Sequence, residues 1–477
     1  MLTNSGWIAF TDRVAAANIT PMKPLVLRSA IVASIGGLIF GFDTAVISGT
    51  TESLKTVFNL DDAGLGITVT TAIIGTILGA FTAGKPADKY GRRTVLFVIG
   101  ALYIVGALGS ATAPNYALLV IARFLGGVGV GASSVVAPIY TAEIAPPKVR
   151  GRLVGLVQFN IVLGILLAYL SNFIIRLVVV DPVGAQPIAW RWMFGVMVVP
   201  AVLFVALLFT VPETPRWLMA VGREKDAVGV SQLLCSTQEE SDRQIAEIQQ
   251  ALAEANMEVA PFWVRRNVKV IMLAVMIAMF NQLSGINAIL YYAPIVMEKA
   301  GAATNTAFLM SAGVGAMNLV ATMAALTVID KIGRRTLMIV GSIGYLVSLG
   351  FLAGVMFYYE GRYDATSSVL VLVGLMMFIA AHAFGQGSVI WVFISEIFPN
   401  RIRARGQSLG SMTHWTFAAI TSGIFPVLIG SLGGGMAFMI FFICMVGQLI
   451  WVLKVMPETK GIPLEEMEEK LGLVGAA

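Results

Sequence analysis

The chain contains two copies of one set of charged motifs, and this duplication limits the folds that it can adopt. The motif DKYGRR at positions 88–93 returns as DKIGRR at 330–335, and EIAP at 143–146 returns as EIFP at 396–399. A third motif, PET at 212–214, returns at 457–459. The copies keep their order and lie roughly 250 positions apart, which predicts two structurally similar halves.

Long apolar segments separate these motifs. Hydrophobic residues make up 57% of the chain and charged residues only 12%, whereas a soluble domain carries roughly 25% charged residues. About 20 apolar residues cross a bilayer as a helix. We therefore predict twelve spans, at 26–48, 66–84, 94–112, 117–140, 153–175, 192–211, 268–297, 306–329, 336–357, 368–396, 407–430 and 434–455.

The length of these segments, and their lack of alternating polarity, exclude a β-barrel. The predicted fold class is an all-α membrane protein with twelve transmembrane helices in two pseudo-symmetric six-helix bundles. Duplicated bundles of this kind are typical of transporters that hold their substrate between the two halves and open to each side in turn.

Lysine and arginine mark the loops that follow spans 2, 4, 8 and 10. These residues are Lys85, Lys89, Arg92, Arg93, Lys148, Arg150, Arg152, Lys331, Arg334, Arg335, Arg401, Arg403 and Arg405. The loops at 113–116 and 358–367 carry little positive charge. Because positively charged loops stay in the cytoplasm, we expect both termini there. With no evident cleavable or organelle signal, we expect a monomeric multi-pass protein of a bacterial inner (plasma) membrane.

A polar segment at about 213–266 divides the spans into two groups of six. Ile245, Ile248 and Leu252 recur in it at helical spacing, which predicts short amphipathic helices. We therefore predict an N-terminal six-helix bundle at 1–212, a cytoplasmic helical linker at 213–266, a C-terminal six-helix bundle at 267–457 and a cytoplasmic tail at 458–477. A linker that only joins the halves is the simpler interpretation of the segment.

Two opposite charges interrupt the spans of the first half. Asp43 lies in span 1 and Arg123 near the start of span 4. A charge within a bilayer is costly, so each residue is a candidate for function. An aspartate beside an arginine can alternate between an ionised, paired form and a protonated, released form. This alternation suits a proton-coupling site, and a static ion pair between two helices is the other interpretation.

A second group of polar side chains in the spans carries no fixed charge. Its members are Gln158, Asn160, Asn281, Gln282, Asn287, Tyr291, Tyr292, Asn318, Gln386, Trp391, His414 and Trp415. Amides offer donors and acceptors, and aromatic rings offer apolar faces with polar edges, so the group suits a neutral, polyhydroxylated ligand. Any single amide could instead join two helices, but the cluster favours a cavity.

Span 7 must be distorted if its amides serve one ligand. In a straight helix, Gln282 and Asn287 point about 140° apart. Gly285 and Pro294 lie within the same span and can bend it. Either span 7 is distorted and brings both amides to one cavity, or one of the two amides forms a hydrogen bond between helices instead.

The sequence gives no support to other classes of protein. Its two cysteines form no metal-site pattern, and we expect no metal and no cofactor. The glycines at 126–131 lie within a span with no preceding strand, so close helix packing explains them better than a nucleotide loop. No Ser/His/Asp set and no basic run with interleaved aromatics is evident, so we expect neither an enzyme nor a nucleic-acid-binding protein.

Taken together, these motifs resemble those of the sugar porter branch of the major facilitator superfamily over nearly the whole chain. The similar segments are GKPADKYGRR at 84–93, RFLGG at 123–127, PIYTAEIAP at 138–146, PETPRW at 212–217, QLSGIN at 282–287 with YY at 291–292, and PETKG at 457–461. Any one of these motifs alone would be weak evidence, but their combination is highly specific.

The resemblance implies roles for particular residues. Gln158, Gln282, Asn287, Asn318 and Trp391 match sugar-contacting positions, and we add Asn281 and His414 to the expected substrate site. Asp43 matches the carboxylate of proton-coupled members, and Arg123 matches its partner. A charge network that closes the outward-facing state on the cytoplasmic side is expected at Asp88, Arg92, Arg93, Glu143, Arg150, Glu213, Arg216, Asp330, Arg334, Glu396 and Arg403.

Several positions depart from the family pattern and leave the identity of the sugar open. Asn281 stands where a glutamine is usual, Ser388 replaces a proline in span 10, and His414 and Ala418 stand where amides are frequent. Ile165 occupies a position that is glutamine in some proton-linked pentose members. We expect His414 to act as a hydrogen-bond partner rather than as a proton carrier.

The expected function is import of a monosaccharide or polyol by proton symport through alternating access. An equilibrative facilitator, in which Asp43 has only a structural role, is the first alternative. A non-transporting sugar sensor is the second, and the shortness of the segment after Pro457 speaks against it.

Overall fold

The computed structural model describes residues 23–147, 149–180, 186–255, 261–399, 401–462, 464–471 and 473. These residues include twelve helical segments long and apolar enough to cross a membrane. In chain order, spans 1 to 12 are Pro24–Gly49, Asp62–Thr82, Arg92–Thr112, Tyr116–Ile144, Arg150–Val178, Ala189–Leu208, Arg265–Lys299, Thr304–Ile329, Arg334–Tyr358, Ala365–Ile397, Arg403–Ser431 and Gly433–Lys454. The described residues contain no strand, so the predicted fold class is confirmed.

Shorter helices connect the spans. They are Thr51–Phe58, Gly84–Tyr90, Pro215–Ala220, Glu224–Leu234, Gln238–Ala255 and Leu464–Lys470. Three of them lie in the predicted linker, where Leu218, Met219, Ala227 and Ile245 form a small hydrophobic core of their own. Residues 1–22, 256–260 and most of 472–477 lie outside the description, and the predicted domain boundaries remain predictions.

Span 7 is broken, as the positions of its amides require. One helix ends at Leu283 and the next begins at Ile286, with Gly285 between them at a φ of +87°. A residue with a side chain would be strained in this left-handed conformation, and a Cβ atom would also collide with the ring of Phe441. The predicted distortion at Gly285 is thus confirmed. Span 10 is also irregular, because residues Ala383–Gly387 form a π-helical turn within it.

The two halves pack tightly at one end of the molecule. We call the end that carries the lysine- and arginine-rich loops the charged end. Towards the opposite end, span 2 packs directly on span 11, where a Cβ atom on Gly66 would collide with the carbonyl of Gly423. Nearby, Thr70 Oγ1 donates to Ala419 O over 3.2 Å. Only small residues permit this approach of two helix backbones, so the halves are closed away from the charged loops.

Candidate functional site

A cavity of about 490 Å³ lies between the two halves, and its wall comes from spans 1, 4, 5, 7, 8, 10 and 11. All seven residues predicted to contact a substrate line it. They are Gln158, Asn281, Gln282, Asn287, Asn318, Trp391 and His414. The break in span 7 explains how Gln282 and Asn287 reach the same space. The structure brings these residues together; their contact with a ligand remains a prediction.

The cavity is polar at its closed side and opens towards the charged end. Asn281 and Gln282 are 2% and 1% exposed, and Asn287 and Asn318 are also buried. Trp391, which lies in the charged-end part of span 10, is 41% exposed. A ligand would therefore enter past Trp391 and meet the amides at depth.

Hydrogen bonds order the polar side chains around His414. Gln282 Nε2 lies 3.0 Å from Asn281 Oδ1 and 3.1 Å from His414 Nε2. The imidazole lies between two indoles, with ring centroids 5.2 Å from Trp391 and 5.0 Å from Trp415. This arrangement places His414 in hydrogen-bond contact with an amide of the cavity, the role that we expected for it.

Four members of the polar group do not line the cavity, namely Asn160, Tyr291, Tyr292 and Gln386. Asn160 donates to Ser34 Oγ over 2.6 Å and joins span 5 to span 1, which is the helix-joining alternative. Gln386 is fully buried behind the cavity wall. Conversely, five residues that carry hydroxyl groups line the cavity and were not predicted: Thr44, Ser133, Ser134, Thr322 and Ser411. Small hydroxyl residues are common throughout membrane helices, so the sequence offers no signal that distinguishes these five.

The predicted proton-coupling residues form a buried ion pair. Arg123 Nη1 lies 2.6 Å from Asp43 Oδ1, and Nη2 lies 3.3 Å from Oδ2. The two side chains are only 4% and 5% exposed, and the guanidinium also faces the ring of Phe194 at 5.3 Å. In this bidentate geometry each charge compensates the other in an apolar surrounding.

The ion pair is separated from the large cavity by a single layer of side chains. A small pocket beside the pair is lined by Asp43, Arg123 and Tyr291, and also by Thr44 and Trp415. Thr44 and Trp415 line the large cavity as well. A change at the ion pair could thus reach the cavity through two residues that touch both spaces.

At the charged end, the N-terminal half holds one compact cluster. Arg92 Nη2 contacts Glu143 Oε1 and Asp88 Oδ1, both at 3.0 Å. Thr214 Oγ1 donates to Glu143 Oε2 over 2.6 Å, and the backbone N–H of Arg93 donates to Glu213 Oε2 over 2.9 Å. The cluster therefore ties the loop after span 2 to the ends of spans 4 and 6.

The C-terminal half repeats this cluster with the duplicated motifs. Arg334 Nη2 contacts Glu396 Oε1 at 2.8 Å, and Thr459 Oγ1 donates to Glu396 Oε2 over 2.6 Å. The backbone N–H groups of Arg334 and Arg335 donate to Glu458. Each ion pair here joins residues of one half, as expected when the two halves are apart at the charged end.

Three further residues of the predicted gate, Arg150, Arg216 and Arg403, form no ion pair within the described part of the chain. Arg403 Nε donates only to Phe398 O at 3.4 Å. The side chain of Asp330 lies outside the described part. The closing role of the network remains a prediction.

The pKa values of two equivalent carboxylates, Glu213 and Glu458, are shifted in opposite directions. Burial raises the pKa of Glu213 above its ordinary value, against opposing hydrogen bonds from the backbone of Thr214 and Arg93. At Glu458 burial acts in the same direction, but four backbone N–H groups outweigh it and hold the pKa below its ordinary value. One of the four belongs to Lys460. The equivalent position in the first half is Pro215, which has no N–H.

Residues 29–471 match the family described as "Sugar (and other) transporter". The chain belongs to the sugar transporter family. Its relatives include the D-xylose-proton symporter of Escherichia coli strain K12, which is 36% identical over 475 residues, covering 93% of this chain and 95% of the relative. The arabinose-proton symporter of Bacillus subtilis strain 168 is 32% identical, with 93% and 94% covered. The glucose transporter GlcP of Staphylococcus epidermidis is 35% identical, with 92% and 96% covered.

Solved structures agree with this family assignment. The inward-open conformation of the xylose transporter XylE from E. coli matches with a TM-score of 0.82 and 34% identity, covering 93% of this chain and 99% of that chain. The proton:xylose symporter XylE bound to 6-bromo-6-deoxy-D-glucose matches with a TM-score of 0.76 and 35% identity, with 94% and 99% covered. This member of the sugar transporter family is therefore a multi-pass membrane transporter of the major facilitator fold and not an enzyme. Of these two structures, the inward-open one has the higher TM-score.

Proposed function

We propose that this protein imports a monosaccharide or polyol by proton symport across a bacterial inner membrane. The relatives named as proton symporters of xylose and arabinose support this proposal. The observation that carries it is the buried Asp43–Arg123 pair beside the cavity, because a neutral ligand does not itself require a costly intramembrane charge, whereas proton coupling does. A facilitator with the same fold would retain the pair as a static link.

The orientation follows from the charged loops. Positively charged loops remain in the cytoplasm, so the charged end is the cytoplasmic end, and both termini lie on that side. The cavity opens to the same end, past Trp391. The conformation described here is then the one that releases substrate into the cell.

The proposed cycle begins in the outward-facing state. Protonation of Asp43 removes its negative charge and weakens its hold on Arg123. Sugar hydroxyls then bind the amides Gln158, Gln282, Asn287 and Asn318, while the indole of Trp391 packs against a C–H face of the sugar. Binding favours closure on the outer side. The two halves then separate at the charged end, where the Arg92 cluster of the N-terminal half moves away from the Arg334 cluster of the C-terminal half.

Release resets the carrier. Loss of the proton to the cytoplasm lets Asp43 form its ion pair with Arg123 again. Thr44 and Trp415, which touch both the pair and the cavity, would transmit this change to the sugar site. The cycle needs the inward- and outward-facing states to have comparable free energies. Binding of the proton and the sugar therefore changes the relative populations of these two states.

Uptake by the purified protein in proteoliposomes tests the proposal. Labelled D-xylose, D-glucose, arabinose and a set of polyols are offered with and without an inward proton gradient. We expect one sugar to accumulate above its equilibrium level only with the gradient, and a protonophore to abolish the excess. Gradient-independent equilibration would make the protein a facilitator, and no flux of any sugar or polyol would overturn the substrate assignment.

A further inference from the structure

A line of hydrogen-bonded side chains runs from the cavity wall into the core of the C-terminal half. We call it the amide relay, and its members are Gln282, Asn281, Gln386, Gln448 and Ser342. Gln282 donates to Asn281 Oδ1 (3.0 Å), and Asn281 donates to Gln386 Oε1 (3.4 Å). Gln386 donates to Gln448 Oε1 (2.9 Å), and Gln448 donates to Ser342 Oγ (2.8 Å).

The relay crosses spans 7, 10, 12 and 9 without reaching solvent. Gln386, Gln448 and Ser342 have no exposed surface, and none of them lines the cavity. Buried amides without partners are costly, because each would lose hydrogen bonds to water without replacing them. The members of the relay thus depend on one another for their hydrogen bonds.

Ser342 sets the direction of the whole line. Its hydroxyl donates its single hydrogen to Met338 O over 2.7 Å, so its oxygen can only accept from Gln448. Gln448 must therefore turn its nitrogen to Ser342 and its oxygen to Gln386. The same constraint passes from Gln386 to Asn281 and from Asn281 to Gln282.

The constraint reaches the cavity at Gln282. Both hydrogens of its nitrogen are directed to groups of the protein, one to Asn281 Oδ1 and the other to the ring of His414. Its oxygen Oε1 is buried and has no hydrogen-bond partner among the described residues. Towards a ligand, this amide can therefore accept a hydrogen bond but cannot donate one.

We propose that Ser342, Gln448 and Gln386 are positioning residues that make Gln282 an acceptor for one hydroxyl of the transported sugar. The inference rests on the proposed function and adds the origin of its selectivity. A ligand with a hydroxyl at the right place satisfies Gln282 Oε1. A ligand that lacks the donor leaves a buried acceptor empty, which is how a polar site rejects an analogue without its hydroxyl.

Monofluoro sugars test the donor requirement directly, since fluorine replaces the hydroxyl at similar size but cannot donate. The unmodified protein is offered labelled D-glucose or D-xylose, whichever it transports better, in competition with the series of monofluoro analogues of that sugar. We expect one analogue to compete roughly tenfold more weakly than the others. In Gln448→Met and Ser342→Ala, the side-chain amide of Gln282 can rotate by about 180° and present its nitrogen to the ligand. The difference in competition between the analogues is then expected to fall to about twofold.

Ser348→Ala is the matched control. Ser348 lies on the same span as Ser342, is equally buried and also donates to its own helix, but it accepts from no amide. It is expected to keep the tenfold preference. Should Gln448→Met not fold, Ser342→Ala, which removes a single oxygen atom, carries the same test.

The outcomes separate the inference from the proposed function. Sugar transport by the unmodified protein with an unchanged analogue preference in Ser342→Ala would overturn the relay and leave the function intact. An equal loss of preference in Ser348→Ala would reduce the effect to general packing and also overturn it. No transport of any sugar would overturn both.

Discussion

The two halves share a fold and a set of charged motifs, but they carry different chemistry at the centre of the membrane. The N-terminal half holds the buried pair Asp43–Arg123 and contributes a single predicted ligand residue, Gln158. The C-terminal half contributes the other six, and all six are uncharged amides or rings. A proton needs a group that changes charge, whereas a neutral sugar needs fixed donors and acceptors. We propose that the two halves have different roles, with proton coupling in the N-terminal half and sugar recognition mainly in the C-terminal half.

The largest expected effect on stability comes from removing one charge of the Asp43–Arg123 pair in the N-terminal half. Arg123→Gln leaves Asp43 buried without a counter-charge, which is expected to destabilise the protein by about 3 kcal/mol. The double variant Asp43→Asn with Arg123→Gln is expected to recover most of this loss. Thermal unfolding of the detergent-solubilised protein measures both. A double variant no more stable than Arg123→Gln would show that the pair is not the source of the effect.

Substituting an amide side chain of the C-terminal half is expected to change the affinity for sugar instead. Gln282→Leu removes an acceptor and also deprives His414 of its partner, so we expect the apparent KM for sugar to rise roughly 100-fold. Residual uptake should still depend on the proton gradient, because Asp43 is untouched. A gradient-independent residual flux would contradict the division between the halves.

The two halves also differ at the charged end, in the pKa shifts of the equivalent carboxylates Glu213 and Glu458. The pKa of Glu213 is raised, so its contribution to stability is complete below the ordinary glutamate pKa and lost as pH rises through the raised value. The pKa of Glu458 is lowered, so its contribution is complete above the ordinary value and lost as pH falls through the lowered one.

The two glutamine variants should therefore respond to pH in opposite directions. Relative to the unmodified protein, Glu213→Gln is expected to lose most stability at acidic pH, and Glu458→Gln at neutral pH. Unfolding midpoints measured from pH 4 to pH 8 check this. Parallel curves for the two variants would show that the pKa values of the two carboxylates are not shifted in opposite directions.

The smallest expected effect tests why the pKa values of Glu213 and Glu458 shift in opposite directions. Pro215→Ala restores an N–H group at the position where Lys460 provides one, and is expected to lower the pKa of Glu213. The gain at neutral pH is about 1 kcal/mol, partly offset by the added freedom of the unfolded chain. Lys460→Ala, which keeps its N–H, is the control and should leave the pH dependence of stability unchanged. No change in pH dependence for Pro215→Ala would assign the difference to burial alone.

The fold followed from the sequence because the signals are long and repeated. Twelve apolar segments and duplicated loop motifs specify the spans, and the angular separation of Gln282 and Asn287 predicts the break at Gly285. The side of the membrane to which the cavity opens could not be predicted, because one sequence must populate both the inward- and outward-facing states.

The site was predictable where several polar residues cluster and not where they stand alone. Gln448 and Ser342 are isolated polar residues in apolar spans, and nothing in the sequence links them to span 7. Their hydrogen bonds depend on how spans 9 and 12 are oriented about their own axes. They also depend on the π-helical turn that contains Gln386. Asn160 shows the converse case, an amide near Gln158 in sequence that faces Ser34 instead of the cavity.

The most direct test of the division between the halves is the transport behaviour of Asp43→Asn. Proteoliposomes report accumulation under an inward proton gradient and, separately, exchange of labelled for unlabelled sugar without a gradient. Asp226→Asn, which removes an exposed carboxylate bonded to Arg223 in the linker, is the matched control. We expect Asp43→Asn to lose accumulation above equilibrium while exchange continues with a sugar affinity within about twofold of the unmodified protein. Accumulation that survives in Asp43→Asn would contradict the account, since the proton would then enter by another group.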